Sequence, residues 1–299
     1  MSAFVRDHDE LTDVRASDPG RVAELFAART RRPMTSGDGR LMIIACDHPA
    51  RGSLSVRGRP DAMADRRAML TRLTTALSRP GVDGVLATAD VIEDLLLLGA
   101  LENKLVFGSL NRGGVSGSVF ELDDRMTAYD VRGTVEAGLD GAKMLMRVDP
   151  GDPATVATME SAGAAVSELA RARRVAMIEP FISRRVDRGV VNDLRAEEVA
   201  RSVHIAQGLG ATSAYTWLKL PVVDDMETVM RATTLPTLLL GGDPDGDPDA
   251  TYNQWENALA LPSVRGLVVG RALLYPPDDD VTKAVDMAVS LVRGGDSRE

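Results

Sequence analysis

From about residue 40 to the end, short apolar runs rich in leucine and β-branched residues alternate with longer stretches in which apolar positions recur at helical spacing. Eight such runs stand out: LMIIAC from Leu41, GVLA from Gly84, LVFGSL from Leu105, AKMLMRV from Ala142, VAMIEP from Val175, SAYTWLKL from Ser213, TLLLGG from Thr237 and GLVVG from Gly266. Their unbroken apolar character predicts strands buried on both faces, as in a parallel sheet. The intervening patterns predict helices from Asp61 to Ala76, Ala89 to Ala100, Tyr129 to Leu139, Pro153 to Ala172, Ala196 to Leu209, Asp224 to Arg231, Tyr252 to Leu259 and Val281 to Val292.

Eight strand–helix repeats in 299 residues favour closure into an α/β fold of the (β/α)8 TIM barrel kind over an open doubly wound sheet. An open sheet normally carries G-x-G-x-x-G after its first strand, and CDHPARGSLS stands there instead, with a single glycine and three ionisable groups. Residues 1–38, with a further helix from Arg21 to Thr30, are expected to form an N-terminal extension covering one barrel end, and no linker divides 1–299 into two domains.

Composition narrows the function. The net charge is -9, and no basic stripe suits a phosphate backbone, so nucleic acid is not the expected partner. No apolar run approaches the roughly 18 residues that span a bilayer, and the first 20 residues are charged where a signal peptide would be apolar; a cytoplasmic protein without a membrane partner is expected. The single cysteine, Cys46, allows no intramolecular disulfide and no cysteine-based zinc site. With only His8, His48 and His204, a histidine-rich zinc site is also disfavoured, and no metal or cofactor is expected. DPDGDPDA from Asp243 has the alternating carboxylates of a calcium loop but lacks the glycine at position six and the closing glutamate, so it reads as an acidic surface loop.

In a (β/α)8 barrel the active site lies at the C-terminal strand ends. Here those ends carry Asp47, followed by His48 and Arg51, then Lys143 with Arg147 at the same parity, Glu179, Lys219, Gly241-Gly242 and Gly270-Arg271. Lysine occurs only at Lys104, Lys143, Lys219 and Lys283 among 35 basic residues, so a lysine inside an apolar strand stands out: unlike arginine, it can lose its proton and form an imine. Lys219 shares a strand face with Tyr215 and Trp217, and apolar walls with a second cation, Lys143, favour a nucleophilic amine. The bland alternative is a lysine that snorkels or pairs with a carboxylate. Glu179 between them can shuttle protons to and from a substrate hydroxyl, or serve as their salt-bridge partner. Asp47 can orient a lysine or cap an Asp-x-Pro turn.

Gly241, Gly242, Gly270 and Arg271 follow the last two strands, where backbone N–H groups hold a phosphate in many barrels; the alternative is that the glycines only permit tight turns. Arg51, Arg112 and Arg184-Arg185 could add to anion binding. An anionic small molecule is therefore the expected substrate.

The ordered set ACDHPARGSL, GAKMLMRV, VAMIEP, YTWLKLP and VVGRALL resembles the strand ends of the class I aldolase superfamily that includes deoxyribose-phosphate and tagatose-bisphosphate aldolases. It is most similar to (β/α)8 aldolases found with inositol-catabolism genes in actinobacteria. The resemblance implies that Lys219 forms a Schiff base, Glu179 shuttles protons, Asp47 and Lys143 support them, and Gly241, Gly242, Gly270 and Arg271 meet phosphate. It further implies cleavage of a phosphorylated keto-sugar or keto-acid, such as 2-deoxy-5-keto-gluconate 6-phosphate, to dihydroxyacetone phosphate and an aldehyde. His48-Pro49-Ala50, between Asp47 and Arg51, departs from the better known members, as does the acidic loop. Barrels of this kind often assemble through their outer helices, so a homo-oligomer is expected. The competing readings are another sugar-phosphate aldolase of the tagatose-bisphosphate, deoxyribose-phosphate or sulfofructose-phosphate type, an imine-free phosphosugar isomerase or epimerase using Glu179 as base, and a noncatalytic sugar-phosphate binder.

Overall fold

A computed structural model describes residues 4–5, 7–35, 37–111, 114–187, 189–242 and 247–294. Its strands are β1 (Leu41–Cys46), β2 (Gly84–Ala87), β3 (Leu105–Ser109), β4 (Gly141–Val148), β5 (Val175–Val186), β6 (Gly189–Asn192), β7 (Thr216–Leu220), β8 (Thr237–Leu240) and β9 (Val264–Val269). All but β6 pair in parallel around a closed ring, with β4 meeting β5, β5 meeting β7, and β9 returning to β1. The result is the TIM barrel that the eight apolar runs predict.

Alternation along the strands divides the apolar side chains between two cores. Inward positions such as Leu41, Ile43, Phe107, Val175, Met177, Leu238 and Val268 fill the barrel interior. Their outward neighbours, among them Met42, Ile44, Val106, Met144, Ile178, Leu218 and Leu239, pack beneath the helices.

Those helices include α1 (Asp9–Ser17), α2 (Arg21–Ala28), α3 (Arg66–Ser78), α4 (Ala89–Leu97), α5 (Val131–Glu136), α6 (Ala154–Arg171), α7 (Ala196–Gln207), α8 (Met226–Arg231), α9 (Pro248–Leu259), α10 (Arg271–Leu274) and α11 (Val281–Arg293). Aspartate N-caps fix several starts: Asp65, Asp130, Asp225 and Asp280 each accept the backbone N–H three residues on, a bond worth about 1 kcal/mol. The Asp65 cap explains why α3 begins later than the hydrophobic pattern suggests.

Residues after α2 tie to the N-terminal ends of the barrel strands. Arg29 donates to the Lys104 carbonyl at 2.7 Å, Arg31 pairs with Asp140 at 2.9 Å, and Arg32 pairs with Asp83. Asp83 and Asp140 in turn accept the backbone N–H groups of Met42 and Val106. The C-terminal end of the barrel is thereby left as the open one. Among the described residues, no helix is long and apolar enough to cross a membrane.

Beyond the short helix α10, which the pattern did not predict, three features depart from the sequence pattern. Helix α1 is additional, β5 runs on past Pro180 to Val186, and β6 folds back on β5 as an antiparallel hairpin. The hairpin escapes periodicity because GVVN is short and only half-buried.

Candidate active site

The polar residues continue the inward parity of the apolar ladder. In β1 the inward series Leu41, Ile43 and Ala45 leads to Asp47; in β3, Leu105 and Phe107 lead to Ser109; in β5, Val175 and Met177 lead to Glu179; in β7, Trp217 leads to Lys219. Lys143 lies level with Met177 and Ser109 on its neighbours, and Leu218 lies opposite Ile178, which brings Lys219 level with Glu179. Strand period and barrel register therefore turn side chains from five strands into one buried cluster.

Within it, cations and anions alternate. Lys219 Nζ donates to Glu179 Oε1 at 2.8 Å, Lys143 Nζ pairs with Glu179 Oε2, and Lys143 Nζ donates to Asp47 Oδ2 at 3.2 Å. Ser109 Oγ donates to the same Asp47 oxygen at 3.2 Å. Lys219, Lys143, Asp47 and Glu179 are 3%, 2%, 2% and 8% exposed, so these contacts are made almost out of water. Burial opposes ionisation of Glu179, but Lys143 and Lys219 outweigh it and hold the carboxyl down at about 2. Burial pushes the His48 imidazole down to about 3; Asp47 opposes this, while Arg271, Lys219 and Lys143 reinforce it. The Cys46 thiol, buried behind the site, is pushed up to about 12 and remains protonated.

The cluster forms the floor of a cavity of about 650 Å³. All nine strand-end residues given a site role from sequence line it: Asp47, Arg51, Lys143, Glu179, Lys219, Gly241, Gly242, Gly270 and Arg271. Two of the glycines are required by geometry. Gly242 has φ +69°, and a Cβ on Gly270 would collide with the Ala45 carbonyl of the adjacent strand. Arg51 donates to the Gly114 carbonyl at 3.1 Å and lies 4.0 Å from Glu121, which binds it to the loop after β3. Tyr215 precedes β7 and Trp217 is half-buried, so the aromatic wall expected beside Lys219 is represented within the strand by Trp217 alone.

Several cavity residues were not assigned from sequence. Arg147 is buried with Asp124, which accepts from Nε at 2.9 Å and from Nη2 at 2.7 Å, while Glu121 lies 3.3 Å from Nη1. Its parity with Lys143 was the available signal; its carboxylate partners come from an irregular loop that periodicity cannot place. Val190, Asn192 and Leu194, in and after the β6 arm, also line the cavity. Ser109 could have been found by extending the β3 parity. Arg184 and Arg185 are exposed, Arg185 pairing with Asp152 at 2.8 Å. Arg112 and residues 243–246 of the acidic loop lie outside the described residues. Among the described residues, no group of three or more His, Cys, Asp or Glu side chains is arranged to hold a metal ion.

Comparison with known proteins adds a family and a fold. The Cgl0159-like family matches residues 39–289. A crystal structure of Cgl0159 from Corynebacterium glutamicum is 53% identical, with 96% of each chain covered and a TM-score of 0.93. An archaeal fructose 1,6-bisphosphate aldolase is 22% identical over 92% of this chain and 100% of that one, with a TM-score of 0.63. A Schiff-base-forming fructose-1,6-bisphosphate aldolase is 21% identical over 91% and 99%, with a TM-score of 0.64. At that identity the likeness to the two aldolases is one of fold. No protein of curated function matches the sequence.

Proposed function

The chain belongs to the Cgl0159-like family, and from that starting point we propose that it is a class I aldolase in which Lys219 forms a Schiff base with a phosphorylated keto-sugar or keto-acid. The observation that carries this reading is the buried Lys219 amine, 2.8 Å from Glu179 at the C-terminal end of the barrel, with Lys143 on the opposite oxygen of the same carboxylate. A lysine placed only for stability needs one carboxylate and no cavity; this one faces a cavity that also contains Gly270 and Arg271.

In the proposed reaction, Glu179 takes a proton from Lys219 and the freed nitrogen pair adds to the substrate ketone. Glu179 returns that proton to the oxygen to give the carbinolamine, then carries a second proton from the nitrogen to the hydroxyl, which leaves as water. The resulting protonated imine accepts the electron pair of the neighbouring carbon–carbon bond as an aldehyde departs, and the enamine left behind is protonated and hydrolysed to dihydroxyacetone phosphate. Lys143 holds Glu179 ionised and in place, and Asp47 holds Lys143. Gly241, Gly242, Gly270 and Arg271 receive the phosphate.

The fold likeness to fructose-bisphosphate aldolases, one of them Schiff-base-forming, supports this chemistry. Within the class we propose 2-deoxy-5-keto-gluconate 6-phosphate as the substrate. An imine-free isomerase using Glu179 as base is less well supported, because both oxygens of Glu179 are taken up by Lys143 and Lys219.

Borohydride reduction in the presence of dihydroxyacetone phosphate tests the proposal. The expected product is a stable mass increase on the peptide containing Lys219. Enzyme that turns over a phosphosugar panel, releases triose phosphate and shows no such adduct would overturn it.

A further inference from the structure

Glu179 handles protons at nitrogen well, since it touches Lys219, but it is poorly suited to the carbon–carbon step. Both its oxygens are bound to ammonium groups. Cleavage requires a group that accepts a hydroxyl proton and then delivers a proton to carbon. Asp47 is likewise bound to Lys143, and among the described residues lining the cavity His48, whose position in the first loop was read from sequence without a role, is a titratable side chain not taken up by either lysine.

The geometry suits it. His48 lines the cavity, and its ring lies between two regions of the site. On one side, its Nδ1 is 3.9 Å from Asp47 Oδ1, and Asp47 binds Lys143. On the other, its Cε1 lies 3.3 Å from where a Gly270 Cβ would stand, at the turn that leads into Arg271. Nδ1 is buried and has no hydrogen-bond partner among the described residues, although the side chain as a whole is 27% exposed. With Nδ1 turned inward toward Asp47, Nε2 is the ring nitrogen left to the cavity. A small shift of the Asp47 carboxylate would close the Nδ1–H contact, fix the tautomer and leave the Nε2 lone pair directed at substrate.

The charged groups around the ring also make it responsive to substrate. Asp47 from its own loop favours the imidazolium, whereas Lys143 from β4, Lys219 from β7 and Arg271 after β9 oppose it. A phosphate dianion on Gly270 and Arg271 offsets one opposing cation, and conversion of Lys219 from ammonium to enamine removes another. Proton affinity at His48 therefore rises at the stage when a proton must be taken up.

We propose that His48 Nε2 is the proton carrier of the carbon–carbon step. This rests on the Schiff-base reading. As the bond breaks, the imidazole takes the substrate hydroxyl proton, the oxygen's freed electron pair completes the aldehyde carbonyl, and the carbon–carbon pair moves into the imine to give the enamine. The imidazolium then gives that proton to the enamine carbon, whose double-bond pair forms the new C–H bond and restores the imine for hydrolysis. The proton that leaves oxygen is the one delivered to carbon, so the step balances without a further reagent.

The test uses dihydroxyacetone phosphate in deuterium oxide, with two readouts: borohydride-trapped mass at Lys219, and exchange of the methylene protons beside the carbonyl followed by NMR. Wild-type enzyme gives both. His48→Gln and His48→Asn retain an amide in place of the ring, so they are expected to keep the adduct while exchange falls about 100-fold or more. Added imidazole restores exchange in His48→Ala, which a packing role would not produce. Undiminished exchange in variants that still form the adduct overturns the role of His48 alone. Absence of an adduct in the wild type overturns the Schiff-base reading and this step with it.

Discussion

Replacing Glu179 with glutamine keeps the size of the side chain and removes the charge that two buried ammonium groups share. The carboxyl is lowered from 4.5 to about 2 in the folded chain, so the stability it contributes is fully present above about pH 4.5 and is lost as pH falls toward 2. At ~1.4 kcal/mol per pH unit that displacement corresponds to about 3 kcal/mol at pH 7, in line with the cost of breaking a buried ion pair. Linkage reduces the difference to about 2 kcal/mol at pH 3.5, where the folded carboxylate is still mostly ionised and the unfolded one is mostly protonated. Urea unfolding of wild type and Glu179→Gln side by side at pH 7 and pH 3.5 measures both values, and comparison at equal pH cancels the titration of the other carboxylates. A variant less than about 1 kcal/mol weaker at pH 7, or a gap that does not narrow on acidification, would refute the claim that Glu179 is held ionised by its two lysines.

Lys219→Met should abolish both triose-phosphate release and borohydride trapping while leaving the far-ultraviolet spectrum intact; retained turnover would favour an imine-free reaction. Arg271→Ala should raise KM for a phosphorylated substrate by about 10- to 100-fold, the loss of one charge-assisted hydrogen bond, and should weaken competition by inorganic phosphate while kcat changes less. Gly270→Ala, which drives a methyl group into the Ala45 carbonyl, should cost about 1–3 kcal/mol in urea unfolding and reduce activity. Arg147→Met leaves Asp124 and Glu121 buried without their cation and should cost about 3–5 kcal/mol in urea unfolding at neutral pH.

Much of the barrel was legible in the residues themselves, because strand period and helix period are local properties. LMIIAC and GVLA coincide with β1 and β2, and the polar residue that ends an apolar ladder can be counted off by parity, which is why Asp47, Lys143, Glu179 and Lys219 could be named in advance as facing one end of the barrel. Scarcity of lysine singled out the same centre: Lys143 and Lys219 enter the cavity, whereas Lys104 binds the Val82 carbonyl at the opposite end of the barrel and Lys283 pairs with Asp278 on the surface. Other features were set only when the ring closed. Whether Glu179 pairs with one lysine or both depends on the stagger of β4, β5 and β7, which spacing along the chain does not encode. The Asp124 and Glu121 partners of Arg147, and the β5–β6 hairpin beside the cavity, depend on irregular loop paths and contacts between distant segments. Local chemistry chose which side chains face the barrel axis; three-dimensional closure decided which of them touch.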